Sequence, residues 1–267
     1  MRWTNLIVAT HAPPFYNQTE NHKAIQAALS LRWYGKEINT RSEIISWLPC
    51  VSLGNRGLMT NIIFDGPKNA SLSVALAHSA GGPMDNPFMA FFAEGLAGRG
   101  LRVARFEFPY MVERRTSGKK RPPNTAKVLL ETWHQVIAEL GAENLVIGGK
   151  SMGGRIASMV ADEAKVKGLV CLGYPFHPSG KPDKLRIDHL QDLKTPALFL
   201  QGDRDSLGNK EDVAGYTVSR KIRLHWLPDG DHSLKPRKKF GRTEQQNWGE
   251  ALDAFIGFIE TLEEASP

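Results

Sequence analysis

Asn144-Leu145-Val146-Ile147-Gly148-Gly149-Lys150-Ser151-Met152-Gly153-Gly154 is the stretch whose reading decides the fold. It begins as a short apolar run, read as a strand over 144–147. It then passes two glycines to a serine and enters a helical pattern over 152–164. Gly149, Ser151 and Gly153 make the pattern G-x-S-x-G. On a sharp strand-to-helix turn the serine hydroxyl is lifted clear of the sheet edge. Glycines flank it because a side chain there would collide with neighbouring backbone. The helix that follows directs its positive end at the same spot. The letters Gly149-Lys150-Ser151 also end a phosphate-binding pattern, G-x-x-x-x-G-K-[ST]. That pattern needs glycine where the chain has Asn144, and it needs Leu145-Val146-Ile147 to be a loop when they read as strand. The strand reading is therefore preferred.

Outward from this turn, short β-rich runs alternate with helical stretches. Strands are expected at 61–64, 72–78, 101–108, 144–147, 167–173, 197–200 and 222–227. Helices are expected at 86–99, 124–140, 152–164, 211–220 and 243–264. Phe88, Phe91, Phe92 and Leu96 share one side of the first of these, and Asn124 is the expected N-cap of the second. Strands separated by helices of this length predict βαβ units and an α/β fold, with a mostly parallel sheet flanked by helices on both faces. Reactive groups in such a sheet lie just past the carboxyl ends of the strands. No internal repeat is visible.

The 267 residues are 41% hydrophobic and 23% charged, which excludes a disordered or low-complexity chain. No apolar run reaches the roughly 18 to 20 residues of a membrane span. Two cysteines, Cys50 and Cys171, can supply neither a disulfide framework nor a four-cysteine zinc site, which points to a reducing, cytoplasmic setting. The first 58 residues stand apart. They hold three of the six tryptophans yet keep no period of 2 or 3.6, and six basic against three acidic residues give them a net charge of +3. The apolar run Leu6-Ile7-Val8-Ala9 is too short for a signal peptide, and Glu20, Glu37 and Glu43 weigh against a mitochondrial presequence. Residues 1–58 are read as an extension outside the fold, such as an early start codon would add, and 59–267 as the domain. The total charge of +6 then leaves only +3 for the domain, so nucleic acid is not an expected partner.

A serine nucleophile requires a histidine base and an acid to orient it. Of eight histidines, His232 lies just past the last expected strand, in Pro228-Asp229-Gly230-Asp231-His232-Ser233. The acid should follow the preceding strand, where Gln201-Gly202-Asp203-Arg204-Asp205 offers two aspartates; Asp205 suits the strand-G-x-x-D placement better than Asp203. Either aspartate or histidine alone would read as a turn residue. Together Ser151, Asp205 and His232 fall at three strand ends in one order. An oxyanion needs backbone N–H groups. Met152 should supply one, and the loop His78-Ser79-Ala80-Gly81-Gly82 the other, through Ala80. Ser79 stands there where a more permissive glycine is usual, and His78 is expected to support that loop rather than act as a base.

These blocks resemble the α/β-hydrolase superfamily, near its small dienelactone-hydrolase-like members, in which the triad has the same serine–acid–histidine order. More narrowly they resemble the α/β-hydrolase-like family of the testis-expressed and NSL-complex-subunit type. The resemblance is carried by residues 78–85, 105–111, 119–123, 148–155, 173–178 and 201–208. It implies an acyl hydrolase with a small-molecule substrate and no cofactor. The alternative it implies is a non-catalytic interaction module, since a chromatin-complex subunit shares the fold.

Only about twenty residues separate the strands ending near Gly173 and starting near Ala197, too few for a large cap domain. Tyr110, Tyr174 and His177 follow strands and are candidate substrate-pocket walls, or simply turn-shaping residues. Basic clusters follow two strands. One holds Arg114, Arg115, Lys119, Lys120 and Arg121; the other holds Lys235, Arg237, Lys238, Lys239 and Arg242. They read first as a solvated rim, and they would also suit an anionic substrate. His225 reads as an ordinary strand residue. No metal-ligand spacing is seen, the proposed chemistry needs no metal, and oligomeric state is not legible.

Overall fold

The structure is a computed structural model, described here over residues 61–264. The reading of 1–58 lies outside the described residues. The chain forms β1 (Ile62–Asp65), β2 (Ser73–Ala77), α1 (Pro87–Ala97), β3 (Arg102–Phe106), α2 (Pro109–Ser117), α3 (Ala126–Leu140) and β4 (Leu145–Lys150). It continues with α4 (Met152–Ala164), β5 (Gly168–Leu172), β6 (Ala197–Gly202), α5 (Lys210–Ala214), β7 (Ile222–Leu227) and α6 (Glu244–Glu264). The sheet runs β1-β3-β2-β4-β5-β6-β7. All neighbours from β3 to β7 are parallel, and β1 joins β3 antiparallel.

Side-chain alternation divides the core into two layers. Ala75, Ala77, Leu145, Ile147, Leu169, Cys171 and Phe199 face α3 and α4, where Trp133, Ile137, Ile156 and Val160 meet them. Val74, Leu76, Val146, Val170, Leu172, Leu198 and Leu200 face α1 and α6, where Phe88, Phe92, Phe255 and Ile259 meet them. Each Val, Leu, Ile or Phe side chain among them, fully buried, stabilises the fold by about 1.5–3 kcal/mol. Both faces are dry, so the central strands read as continuous apolar runs rather than alternating ones. The β5–β6 connection contains a 3-10 turn, Asp188–Leu190, and no cap domain. No helix among the described residues is long and apolar enough to cross a membrane.

Three elements differ from expectation. Pro109–Ser117 is a helix, where the sequence reading had a loop carrying the first basic cluster. Its N-cap residue, Phe108, has no polar side chain, and Asn124 Oδ1 instead accepts the N–H of Tyr110 at 2.8 Å. Asn124 therefore serves α2, and the N-cap of α3 is Thr125. The helix expected at 211–220 is the five-residue α5, capped at its C-terminus by Gly215. Finally, β4 continues through Gly148 and Gly149 to Lys150, because a Cβ at Gly148 would lie 2.0 Å from the Val170 carbonyl oxygen and the bare backbone lets β5 approach.

Candidate active site

The turn between β4 and α4 is tightly determined. Ser151 adopts φ 53 and ψ −114, a left-handed conformation that a non-glycine residue takes at a cost of about 1–3 kcal/mol. The neighbouring glycines make it possible. Gly149 has φ 153, and a Cβ there would lie 2.2 Å from the Ala77 carbonyl oxygen. A Cβ on Gly153 would lie 2.4 Å from the same oxygen and 2.7 Å from the His78 carbonyl oxygen. The start of α4 is thus pressed directly onto the end of β2. The Ser151 N–H donates to the Leu172 carbonyl at 3.0 Å, leaving the side chain at the sheet edge.

Ser151 Oγ lies 2.8 Å from His232 Nε2, and His232 Nδ1 lies 2.7 Å from Asp205 Oδ2. A carboxylate only accepts, so Nδ1 carries the proton and Nε2 is left to accept from the serine hydroxyl. Asp205 is fully buried. Its Oδ1 takes the Leu207 N–H at 2.8 Å, and its Oδ2 also takes Gln201 Nε2 at 2.9 Å. The structure brings Asp205, and not Asp203, to the imidazole. Gln201 is a residue the sequence reading missed. Its amide donates to the carbonyls of Tyr174 and Gly208 as well and accepts the Tyr174 N–H at 2.7 Å, tying the β5 turn to the acid. The histidine turn is held as firmly. Asp231 Oδ1 accepts the N–H groups of Ser233 and Lys235, and buried Asn247 donates to the carbonyls of Pro228 and Leu234. Beside it, Arg237 pairs with Asp229 and holds its carboxyl down at about 2.

The loop after β2 is oriented by three side chains. His78 bonds the Ser79 carbonyl through Nδ1 at 2.7 Å and accepts the Phe108 N–H at Nε2. Burial pushes its pKa down, so it acts as a neutral strut. Tyr110 donates its hydroxyl to the carbonyls of Ala80 at 3.0 Å and Ser79 at 3.3 Å. A trans peptide points its N–H opposite its C=O, so fixing the Ser79 carbonyl on His78 and Tyr110 turns the Ala80 N–H the other way. Neither Ala80 N–H nor Met152 N–H has a hydrogen-bond partner among the described residues. Ser79 keeps a negative φ, and its hydroxyl accepts the Gly82 N–H at 3.1 Å, so it fits where glycine is usual.

The three candidate pocket walls lie inside the protein. Tyr110 is 2% exposed, with its hydroxyl spent on the loop carbonyls. Tyr174 is fully buried, stacks 4.9 Å from Phe199 and donates to the Arg186 carbonyl. His177 is buried, with Nδ1 on the Pro178 carbonyl and Nε2 without a partner among the described residues. Tyr110 and Tyr174 therefore support the site from beneath rather than line it, because aromatic bulk packs into the core once each hydroxyl has found a carbonyl.

A second serine–histidine contact, Ser158 Oγ to His189 Nε2 at 2.8 Å, lies elsewhere. Ser158 sits in mid-helix with its hydroxyl on the Arg155 carbonyl, and no carboxylate bonds His189 among the described residues. It has neither the turn nor the acid of the Ser151 arrangement. Half of the ten clustered cations are paired among the described residues: Arg115 with Glu107 and Asp85, Arg121 with Glu113, Lys235 with Glu244, Arg237 with Asp229 and Arg242 with Glu250. Arg114 has no acidic partner among the described residues and lies close enough to act on Tyr110.

Comparison with known proteins places these features in a family. A family model described as an alpha/beta hydrolase domain matches residues 70–260. Among solved structures, an α/β serine hydrolase without lid from Xanthomonas campestris is 21% identical, covering 78% of this chain and 91% of its own, with a TM-score of 0.55. A dienelactone hydrolase from Anabaena variabilis is 20% identical, covering 74% and 91%, with a TM-score of 0.56. An α/β serine hydrolase homologue from Coxiella burnetii is 19% identical, covering 76% and 91%, with a TM-score of 0.55. At these identities the similarity speaks for the fold.

Proposed function

The chain belongs to the alpha/beta hydrolase domain family, and from that premise we propose that it is a serine hydrolase cleaving an ester or related acyl bond of a small molecule. The reading is carried by one observation, the hydrogen-bonded line from Ser151 through His232 to Asp205, built on a serine held at φ 53. Ser151 Oγ attacks the acyl carbon while its proton passes to His232 Nε2. The tetrahedral oxyanion takes hydrogen bonds from the N–H groups of Met152 and Ala80. As it collapses, the leaving oxygen takes the proton from Nε2 and departs. Nε2 then removes a proton from water, the hydroxide oxygen attacks the acyl-serine, and the acid leaves as Ser151 regains its proton. Asp205 keeps the imidazole in one tautomer and stabilises its positive charge at both stages.

The small dienelactone-hydrolase-like branch is the proposed place within the family, supported by the uncapped strand ends and by the sequence blocks at 78–85, 105–111 and 173–178. The resemblance to the testis-expressed and NSL-complex-subunit type belongs to the same proposal, as does a cytoplasmic setting. Arg114, which has no acidic partner among the described residues and acts on Tyr110, favours an acyl substrate carrying a carboxylate. Hydrolysis of short-chain p-nitrophenyl esters tests the reading. Ser151→Ala should lower kcat by about 10⁴-fold or more with circular dichroism unchanged. Equal turnover by the variant would refute it, and a folded wild type inert toward a broad acyl panel would favour the interaction-module alternative.

A further inference from the structure

Lys150, the lysine of the disfavoured phosphate-loop pattern, is a residue the triad does not use. It ends β4, directly before Ser151, and alternation along the strand puts it on the Val146 face, toward α1 and α6. There it is 6% exposed, with its Nζ 5.6 Å from the Phe88 ring centroid. Its Nζ donates to the backbone carbonyl of His232 at 2.5 Å. Gly173 leaves the passage open, since a Cβ there would lie 2.9 Å from Nζ and 2.7 Å from that same carbonyl oxygen. No carboxylate forms an ion pair with it among the described residues; the charges that act on it are Asp205 and Asp231, from further away. Burial outweighs them and brings its pKa down to about 8.

An ammonium taken out of water without an ion-pair partner carries a large desolvation penalty. Its position relates that penalty to the site. Between the 148–154 turn and the 228–235 turn, the described residues form two side-chain hydrogen bonds: this one, and the Ser151–His232 bond itself. The first holds the main chain of the residue whose ring must make the second.

We propose that Lys150 is a positioning residue, whose ammonium ties the turn that carries the nucleophile to the main chain of His232 and so keeps the imidazole in line with Ser151 Oγ. The role rests on the serine-hydrolase reading above. It acts through His232 and touches no substrate, so it should appear in the chemical step and leave binding alone. A charge-assisted hydrogen bond is roughly twice as strong as a neutral one, so the tether weakens as the ammonium loses its proton.

The test is the rate at which a fluorophosphonate probe labels Ser151, measured from pH 6 to 10 in wild type, Lys150→Met and Lys150→Gln, with ester kcat and KM and a melting curve for each. The wild-type rate should fall several-fold as pH rises through about 8. Both variants should melt cooperatively, label about tenfold or more slowly at pH 7, keep KM within about twofold and show no step near pH 8. If Lys150→Met does not fold, Lys150→Gln decides by the same readouts. Variant rates within about twofold of wild type, or a step near pH 8 that survives in the variants, would overturn the proposal. So would a wild-type profile with no fall through pH 8, which needs no variant at all. A wild type that labels normally beside unchanged variants removes Lys150 alone. A wild type that never labels at Ser151 removes the serine-hydrolase reading and the tether with it.

Discussion

Gly153→Ala adds one methyl group where the nucleophile turn meets β2. The new Cβ would stand 2.4 Å from the Ala77 carbonyl oxygen, 2.7 Å from the Ala77 carbonyl carbon and 2.7 Å from the His78 carbonyl oxygen. All three are backbone atoms in the strand end and its loop, so no flexible side chain can swing away. Ordinary contact begins near 3.4 Å, so the start of α4 must retreat by about 1 Å from the loop that holds Ala80. A displacement of that size at reacting groups costs about 10²-fold in rate, and overpacking a full site costs about 1–3 kcal/mol. The assay pairs ester kcat with a melting curve. The expected result is a kcat lower by about 10²-fold and a melting temperature lower by about 3–8 °C. Gly249→Ala is the control. It makes the same chemical change on α6, where a Cβ meets nothing within 4 Å, and there alanine should stabilise by about 0.5–1 kcal/mol and leave kcat alone. A Gly153→Ala protein with wild-type kcat and melting temperature would refute the reasoning, because the contact between β2 and α4 would then not govern the serine.

Asp205→Asn should leave the fold intact and lower kcat by about 10⁴-fold, since an amide can donate to His232 Nδ1 and favour the wrong tautomer; a loss below about tenfold in ester turnover would count against the acid's role. Arg114→Ala should raise KM severalfold for a succinate monoester and leave the acetate ester unchanged, and equal KM changes for both would refute the carboxylate preference. Asp229 is held by Arg237 at about 2, below its ordinary 3.8. Its folded pKa is depressed, so the pair stabilises the protein above about pH 4, and that contribution disappears as pH falls from about 4 toward 2. Arg237→Ala should therefore melt earlier than wild type at pH 7, and the two melting temperatures should converge below about pH 2. A gap that stays constant across that range would show that the stabilisation is not electrostatic.

The elements were legible where the signal was local. The strand at Ile222–Leu227 and the helix at Met152–Ala164 have the expected bounds, because apolar runs and turn residues mark both ends. The helix Pro109–Ser117 was not legible. It buries only Tyr110 and Met111, carries five charged or polar residues over 113–117, and takes its cap from Asn124, fourteen residues away. Gln201 and Lys150 look like incidental polar letters at strand ends. Lys150 meets His232 from 82 residues away, and Gln201, though only four residues from Asp205, ties it to Tyr174 from 27 residues away; the closed sheet makes both long-range contacts. Ser151, Asp205 and His232 could be nominated because parallel topology puts strand ends on one edge. That edge could not show that the Tyr110 and Tyr174 rings turn inward, since a tyrosine after a strand reads alike whether its hydroxyl meets a substrate or a carbonyl.

The central claim is that Ser151 is a nucleophile activated by His232. The most direct measurement is intact mass and peptide mapping after exposure of the full chain to a fluorophosphonate probe. A single adduct on Ser151, formed in wild type and lost in His232→Ala, is the predicted result. A folded wild type without the adduct, or one modified with equal ease when His232 is absent, would contradict it.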